Sequence, residues 1–312
     1  MVHVEKGFRF LAEKVSHHPT IIAAVAEGRG WRFEGDADVK SKFWGRSIEL
    51  KPEGVLRLTF HDGDVYTWSK VTTSINNLIL GKIYVDHGGI MRVHNHGPDN
   101  LTARLRFKET GMLMDREPRQ VRGVIERGNQ RLDFPILHGH WDDSMWAELE
   151  DGRSLELWRK APLPPDPTRY NLTSFAIQLN ELTPGLKNKL APTDCRLRPD
   201  QSATEKGMWS LANAEKQRLE HKQRAARKAA DAGEPIRPRW FRFQPNVSST
   251  PAPHHVDGLK SKEHRHHGRH RHDRHEHQQQ STHPSFVYNG GYWEARASGE
   301  WVGCRDIFGP DL

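Results

Sequence analysis

Residues 56–68, LRLTFHDGDVYTW, decide the fold class. Leu56, Leu58 and Phe60 alternate with Arg57, Thr59 and His61, which is the two-residue period of a strand with one apolar face. Asp62-Gly63 is a tight-turn pair, and Val65 to Trp68 begins the return strand. The same grammar recurs further along. Leu101, Ala103, Leu105 and Phe107 alternate with Thr102, Arg104 and Arg106, and Val121, Gly123 and Ile125 continue the theme. Gly128-Asn129 turns the chain into Leu132 and Phe134, and Asp151-Gly152 separates Glu148-Leu149 from Leu155-Glu156-Leu157. Residues 1–160 therefore read as a β meander, mainly β in class: a large antiparallel sheet or barrel that, if wide enough, encloses a ligand cavity.

The pattern changes at Pro162 to Pro167. Tyr170 to Leu182 reads as a short helix or strand closing against the sheet, and Pro192 to Pro199 as a loop. From Glu205 to Ala232 the chain is rich in Ala, Glu, Lys, Gln and Arg, all strong helix formers, and Gly233 and Pro235 end the run. Its sparse apolar positions, Met208, Leu211 and Leu219, allow only part of one face to be buried. Residues 245–284 are low in complexity and hold ten of the twenty histidines, around HRHHGRHRHDRHEH. Such imidazoles bind zinc, copper or nickel loosely, but the run lacks the fixed spacing of a folded site and reads as a surface insert. No metal and no cofactor is expected. Phe286 to Trp301 returns to aromatic-rich sequence that adds a terminal strand or packs onto the core.

Composition narrows the function classes. The 312 residues are 35% apolar and 28% charged, with ten Trp, twelve Phe and five Tyr to build a core. Mean hydropathy is -0.81. No run of about 20 predominantly apolar residues exists, so no bilayer-spanning helix is expected. The opening MVHVEKGFRF lacks the apolar segment of a signal peptide. With only Cys195 and Cys304, a disulfide framework and a four-cysteine zinc site are excluded, and the chain reads as reduced and cytosolic. Residues 214–280 hold 15 Lys/Arg against 8 Asp/Glu, so the formal charge of +7 sits in one stretch. It suits an anionic partner; with nucleic acid only a non-specific, salt-sensitive effect is expected. No G-x-S-x-G elbow, nucleotide-binding loop or H-E-x-x-H appears, so an enzyme is not expected.

Two features carry chemistry. Glu13-Lys14-Val15-Ser16-His17-His18-Pro19 presents adjacent imidazoles from a constrained backbone, and a phosphate beside them favours imidazolium. The competing reading is a histidine pair satisfied by backbone carbonyls at a strand end. Lys216, Glu220 and Arg224 recur at four-residue steps, so they share one helix face; Glu220 holds both cationic heads, and Lys and Arg then offer donors to phosphate oxygens. An ordinary exposed ladder of charge pairs has the same spacing.

Together these features resemble a family. AEKVSHHP resembles the EQVSHHPP signature of the oxysterol-binding protein-related proteins, and KFWGRSIEL, YTWSKVTTSINNLILGKIYVDHGG, YNLTSFAIQLNEL, APTDCRLRPDQ, AEKQRLEHKQR, PRWF and YWEARASGEW resemble that family's ligand-binding domain in the expected order. The resemblance runs from Gly7 to Pro310, interrupted by the His-rich insert. It divides the chain into a ligand-binding domain over 1–244, an insert over 245–284, and a return to the same domain over 285–312. It implies an incomplete antiparallel β-barrel around a lipid tunnel, with C-terminal helices packed outside. It implies cytosolic carriage of lipid between membranes, with peripheral contact, and exchange of a sterol or another lipid for phosphatidylinositol 4-phosphate. The positions that match the family's headgroup ligands are His17, His18, Lys216, Glu220 and Arg224. A phosphoinositide-binding membrane scaffold without transfer is the alternative.

Lys14 stands where the signature has Gln, and Thr20 replaces its second Pro, while the His-His-Pro core remains. In the family a lid and early strands precede the signature; here sixteen residues precede His17, so an unpaired sheet edge and an open tunnel are expected. Deleting residues 254–283 is expected to leave phosphoinositide binding unchanged, measured as affinity for headgroup-bearing vesicles.

Overall fold

The computed structural model describes residues 2–3, 6–17, 19–110, 118–166, 171–231, 233, 237–245 and 284–309. Fourteen strands form one antiparallel sheet: β1 (Val2–His3), β2 (Phe8–Ser16), β3 (Ile21–Gly28), β4 (Trp31–Phe43), β5 (Ile48–Glu53), β6 (Leu56–Phe60), β7 (Val65–Trp68), β8 (Thr72–Asn76), β9 (Tyr84–Asn95), β10 (Leu101–Phe107), β11 (Gln120–Arg127), β12 (Gln130–His140), β13 (Ser144–Glu148) and β14 (Ser154–Arg159). The Asp62-Gly63 hairpin forms between β6 and β7, with Gly63 at φ +99°. The other two predicted turns, Gly128-Asn129 and Asp151-Gly152, join β11 to β12 and β13 to β14.

The sheet does not close into a regular barrel. Among the described residues β1 pairs only with β2 and β14 only with β13. Its middle is split. Residues 31–35 of β4 pair with β6, and residues 38–43 pair with β5. Likewise β9 pairs with β8 at its start and β7 at its end. The pairings β4–β5–β8–β9–β7–β6–β4 thus complete a circuit. Gly54 makes the corner possible: its φ is +120°, and a Cβ there would stand 2.5 Å from the Asp36 carbonyl oxygen.

The C-terminal third packs on the outer face of β2–β4 through Trp240, Phe241 and Tyr292, while its Phe175 meets Phe8, which the register puts on the opposite face. It comprises α1 (Ser174–Gln178), α2 (Pro199–Glu205), α3 (Trp209–Asp231), the strand pair β15 (Phe241–Phe243) and β16 (Phe286–Tyr288), and α4 (Tyr292–Ser298). The helix expected over Glu205 to Ala232 forms as α3 from Trp209; Glu205 itself ends α2, which begins at Pro199 where a loop was expected, and Gly207 at φ +71° parts the two. Among the described residues of the segment expected over Tyr170 to Leu182 there is one helix, α1, capped by Thr173, whose side chain accepts from the Ala176 N–H. The His-rich insert lies outside the described residues, apart from positions 245 and 284.

Leu11, Val15, Ala23 and Val25 of the sheet meet Ala191, Trp240, Phe241 and Tyr292 in the main core. Two carboxylates flank this contact. Glu13 accepts from the Arg239 and Trp240 N–H groups at 2.7 and 2.9 Å. Asp36 accepts from Ser285 and Phe286 N–H at 2.6 and 3.1 Å. Burial pushes both carboxyls above their ordinary values, against these hydrogen bonds, which pull them down.

Glu13→Ala strips two backbone donors of their acceptor and is expected to cost about 1–3 kcal/mol in urea unfolding. A carboxyl with a raised folded pKa binds its proton more tightly in the native state. Its contribution therefore declines as pH rises from about 4 through the folded value, and the deficit of Glu13→Ala is expected to be larger near the acid end of that window than above it.

Candidate functional site

The strand register sorts side chains onto two faces. The outer face of β2–β4 carries Arg9, Glu13, Glu27, Arg32, Glu34 and Asp36, and on β10–β11 it carries Arg104, Arg106 and Arg122. The opposite face is apolar. It carries Phe10 and Ala24, then Phe33 and Leu58, and continues through Leu105 and Leu137. Val121, Leu137 and Ala147 are buried on this face, whereas Val39, Val85 and Leu155 are exposed. The apolar face is thus covered at β11–β13 and at Ala26, and open at Val39, Val85 and Leu155.

The register also places the turns. The β2–β3 turn (17–20), the β4–β5 turn (44–47) and the β8–β9 turn (77–83) all lie at one end of the sheet. The β3–β4 and β6–β7 turns lie at the other. His17 is therefore on a rim shared by several hairpin tips.

At that rim the turn is closed by Thr20, whose hydroxyl donates to the His17 carbonyl at 3.0 Å. Thr20, which departs from the signature's second proline, thus supplies a turn bond of its own. The His17 ring meets α3: its Nε2 lies 2.8 Å from Gln223 Nε2. An amide nitrogen only donates, so this arrangement makes His17 Nε2 the acceptor and puts the ring proton on Nδ1. A ring protonated by a bound anion requires the amide to turn and offer Oε1 instead.

Helix α3 is divided by function. Ala212 and Leu219 are buried. On one flank Arg218 donates to the Gly309 and Phe308 carbonyls at 2.7 and 2.9 Å, and Lys222 donates to those of Asp306 and Gly309 at 3.2 and 3.1 Å. These cations fasten the C-terminal loop. On the other flank Lys216 and Arg224 are exposed and Glu220 is part-buried; Arg224 Nη2 lies 3.3 Å from Glu220 Oε2. Gln223 stands beside Arg224, so the structure brings His17, Glu220 and Arg224 to one region of the helix. Lys216 is on the same face, about 10 Å along the axis from Gln223 at 1.5 Å per residue. His18 lies outside the described residues.

Sequence reading missed Gln223. It falls in AEKQRLEHKQR, but a glutamine among charged neighbours has no chemical signal until a histidine 206 residues away reaches it. Other histidines are absorbed by the sheet. His87, His94 and His96 each bond a threonine hydroxyl, of Thr73, Thr102 and Thr67, and burial lowers the pKa of all three. Among the described residues no group of three or more His, Cys, Asp or Glu side chains is placed to hold a metal ion. Two surface hollows, of about 610 and 650 Å³, lie elsewhere: one over Arg122, His138 and Trp146, the other beside Phe8, Trp31 and His61.

Comparison with known proteins adds the lineage. The family model described as Oxysterol-binding protein matches residues 1–297. Oxysterol-binding protein-related protein 1B of Arabidopsis thaliana is 46% identical over 98% of this chain and 55% of its own length. Oxysterol-binding protein-related protein 2B of the same plant is 45% identical over 98% of this chain and 38% of its own. The chain thus spans between about a third and just over half of these relatives. Among solved structures, Osh3 ORD in complex with PI(4)P from Saccharomyces cerevisiae superimposes with a TM-score of 0.74 at 28% identity, covering 98% of this chain and 72% of that one. Osh1 ORD in complex with cholesterol gives 0.77 at 28%, covering 98% and 70%.

Proposed function

The chain belongs to the oxysterol-binding protein family, and we propose on that premise that it binds and transfers lipid, exchanging a sterol or another lipid for phosphatidylinositol 4-phosphate between membranes. It acts from the cytosol in peripheral contact with them. The observation that carries this reading is the 2.8 Å approach of His17 to Gln223, which sets the signature turn against the cationic flank of α3. Support also comes from the solved relatives, one holding PI(4)P and another cholesterol.

The physics is consistent with that cargo. A phosphomonoester carries close to two negative charges at neutral pH. His17, His18, Lys216 and Arg224 neutralise it with charge-assisted bonds, Glu220 steadies the Arg224 head, and Gln223 orients the His17 ring. The acyl chains or a sterol lie along the apolar face, where about 25 cal/mol is gained per Å² taken from water. One apolar face serves both cargoes, so their binding is mutually exclusive. Exposure of the apolar face at Val39, Val85 and Leu155 favours one competing reading, a phosphoinositide-binding membrane scaffold that extracts nothing.

Extraction of phosphatidylinositol 4-phosphate from liposomes separates the two. Lipid is expected in the soluble protein fraction, and lost with His17→Ala plus His18→Ala at unchanged fold. Surface binding without extraction overturns transfer, and undiminished headgroup binding by the double variant overturns the site. Gln223→Ala is expected to weaken binding about two- to tenfold, the range of a single hydrogen bond, read by titration with a soluble short-chain phosphatidylinositol 4-phosphate.

A further inference from the structure

A group of exposed apolar side chains lies on the rim that carries His17. Phe43 and Trp44, at the β4–β5 turn, are 65% and 56% exposed, and Ile79, Leu80 and Ile83 of the β8–β9 turn are 74%, 85% and 56% exposed. Scattered single apolar residues on a surface are ordinary; a contiguous group marks an interaction site.

The group is contiguous because the two turns are joined. Strands β5 and β8 pair, Ile48 facing Ile75, and the Leu78 N–H donates to the Arg46 carbonyl at 3.1 Å. Each turn is also held internally. The Trp44 N–H donates to the Ser47 carbonyl at 2.8 Å, and the Asn77 side chain donates to the Lys82 carbonyl at 3.1 Å. Gly45 and Asn77 take the positive φ these turns need, at +78° and +62°. The apolar side chains are thus displayed on a formed scaffold.

Charge and position specify the occupant. Lys42, Arg46 and Lys82 surround the apolar tip, and Lys42 Nζ sits 3.7 Å from the centre of the Trp44 ring. Lys40 is taken up by Glu53 at 2.6 Å. The nearest carboxylates are Glu49, opposite Lys42 in register, and Asp86, which is buried and accepts from the Thr110 N–H at 2.6 Å. Three cations therefore meet one partly exposed acid. An aromatic and aliphatic tip inside a cationic collar matches the boundary between acyl chains and anionic headgroups. Asp38 pairs with Ile21 beside the β2–β3 turn, and β4 runs five residues further to Phe43, about 17 Å at the rise of a strand. The tip therefore projects past the His17 turn on the same rim.

We propose that the joined turns 43–47 and 77–83 are a membrane-docking tip that inserts Trp44, Ile79 and Leu80 into anionic bilayers. It rests on the lipid-binding reading above, and it adds the surface that presents the headgroup site to the membrane.

The test is flotation with phosphatidylcholine vesicles, with and without phosphatidylserine. Wild type is expected to float with the anionic vesicles. Ile79→Ser with Leu80→Ser is expected to bind about tenfold more weakly or worse, since both side chains leave the interface. Lys42→Ser and Lys82→Ser are each expected to cost about fivefold, and only when phosphatidylserine is present. Quenching by brominated lipid is expected in wild type and reduced in Trp44→Phe. These substitutions lie on exposed turns, and each variant is first checked for unchanged binding of soluble short-chain phosphatidylinositol 4-phosphate. That control keeps the two readings apart: its failure in wild type overturns the headgroup site, whereas unchanged flotation of the Ile79/Leu80 variant overturns the tip. Concentration-dependent dimerisation abolished by the same variant, with flotation unaffected, assigns the patch to a second copy and also overturns it.

Discussion

Glu13 and Asp36 stand on either side of Ala23 in register, on the outer face of β2 and β4, and each receives two backbone N–H groups from the far end of the chain. Those four hydrogen bonds span well over two hundred residues of sequence. They fix where β15 and β16 start, and through them where Trp240, Phe241 and Tyr292 meet the sheet. Desolvation makes both carboxylates costly, and the backbone donors offset that cost. With the C-terminal segment seated, the loop at 306–309 is in place to receive Arg218 and Lys222, and α3 is oriented with its other flank toward His17. The site on α3 thus depends on a docking contact made on the outside of the sheet.

The two faces of the sheet divide the work. The outer face takes the C-terminal core and most of the charged side chains; the opposite face is largely apolar. Because strand side chains alternate, the division follows from register alone, and a slip of one residue would exchange the two faces. The rim is where the faces meet, and there the chain concentrates its turns, its signature histidine and its exposed apolar tip.

Much of this was readable in advance, for definite reasons. The alternation from Leu56 to Phe60 and the Asp62-Gly63 turn are local, so the hairpin they imply is present as expected. The four-residue spacing of Lys216, Glu220 and Arg224 is likewise a property of one helix. Other features depend on long-range partners and carry no local mark. Gln223 gains its place only when α3 meets the β2–β3 turn. The split of β4 between two partners requires Gly54, whose need for a positive φ is invisible until Asp36 lies against it. The late start of α3 at Trp209 was hidden as well: Gly207 takes a positive φ that parts it from α2, and a lone glycine ahead of a run of helix formers does not mark that conformation.

The split middle of the sheet has a mechanical meaning. In an ordinary meander each strand answers to its neighbours in series, and a shift at one hairpin can be passed along and dissipated. Here β4 and β9 are tied to each other by two parallel routes, β5–β8 and β6–β7. Sliding either long strand has to break the register of both routes at once, so a slip at one hairpin cannot relax independently. The circuit acts as a truss: it cross-braces the centre of the sheet, which a plain series of hairpins would leave to single ladders.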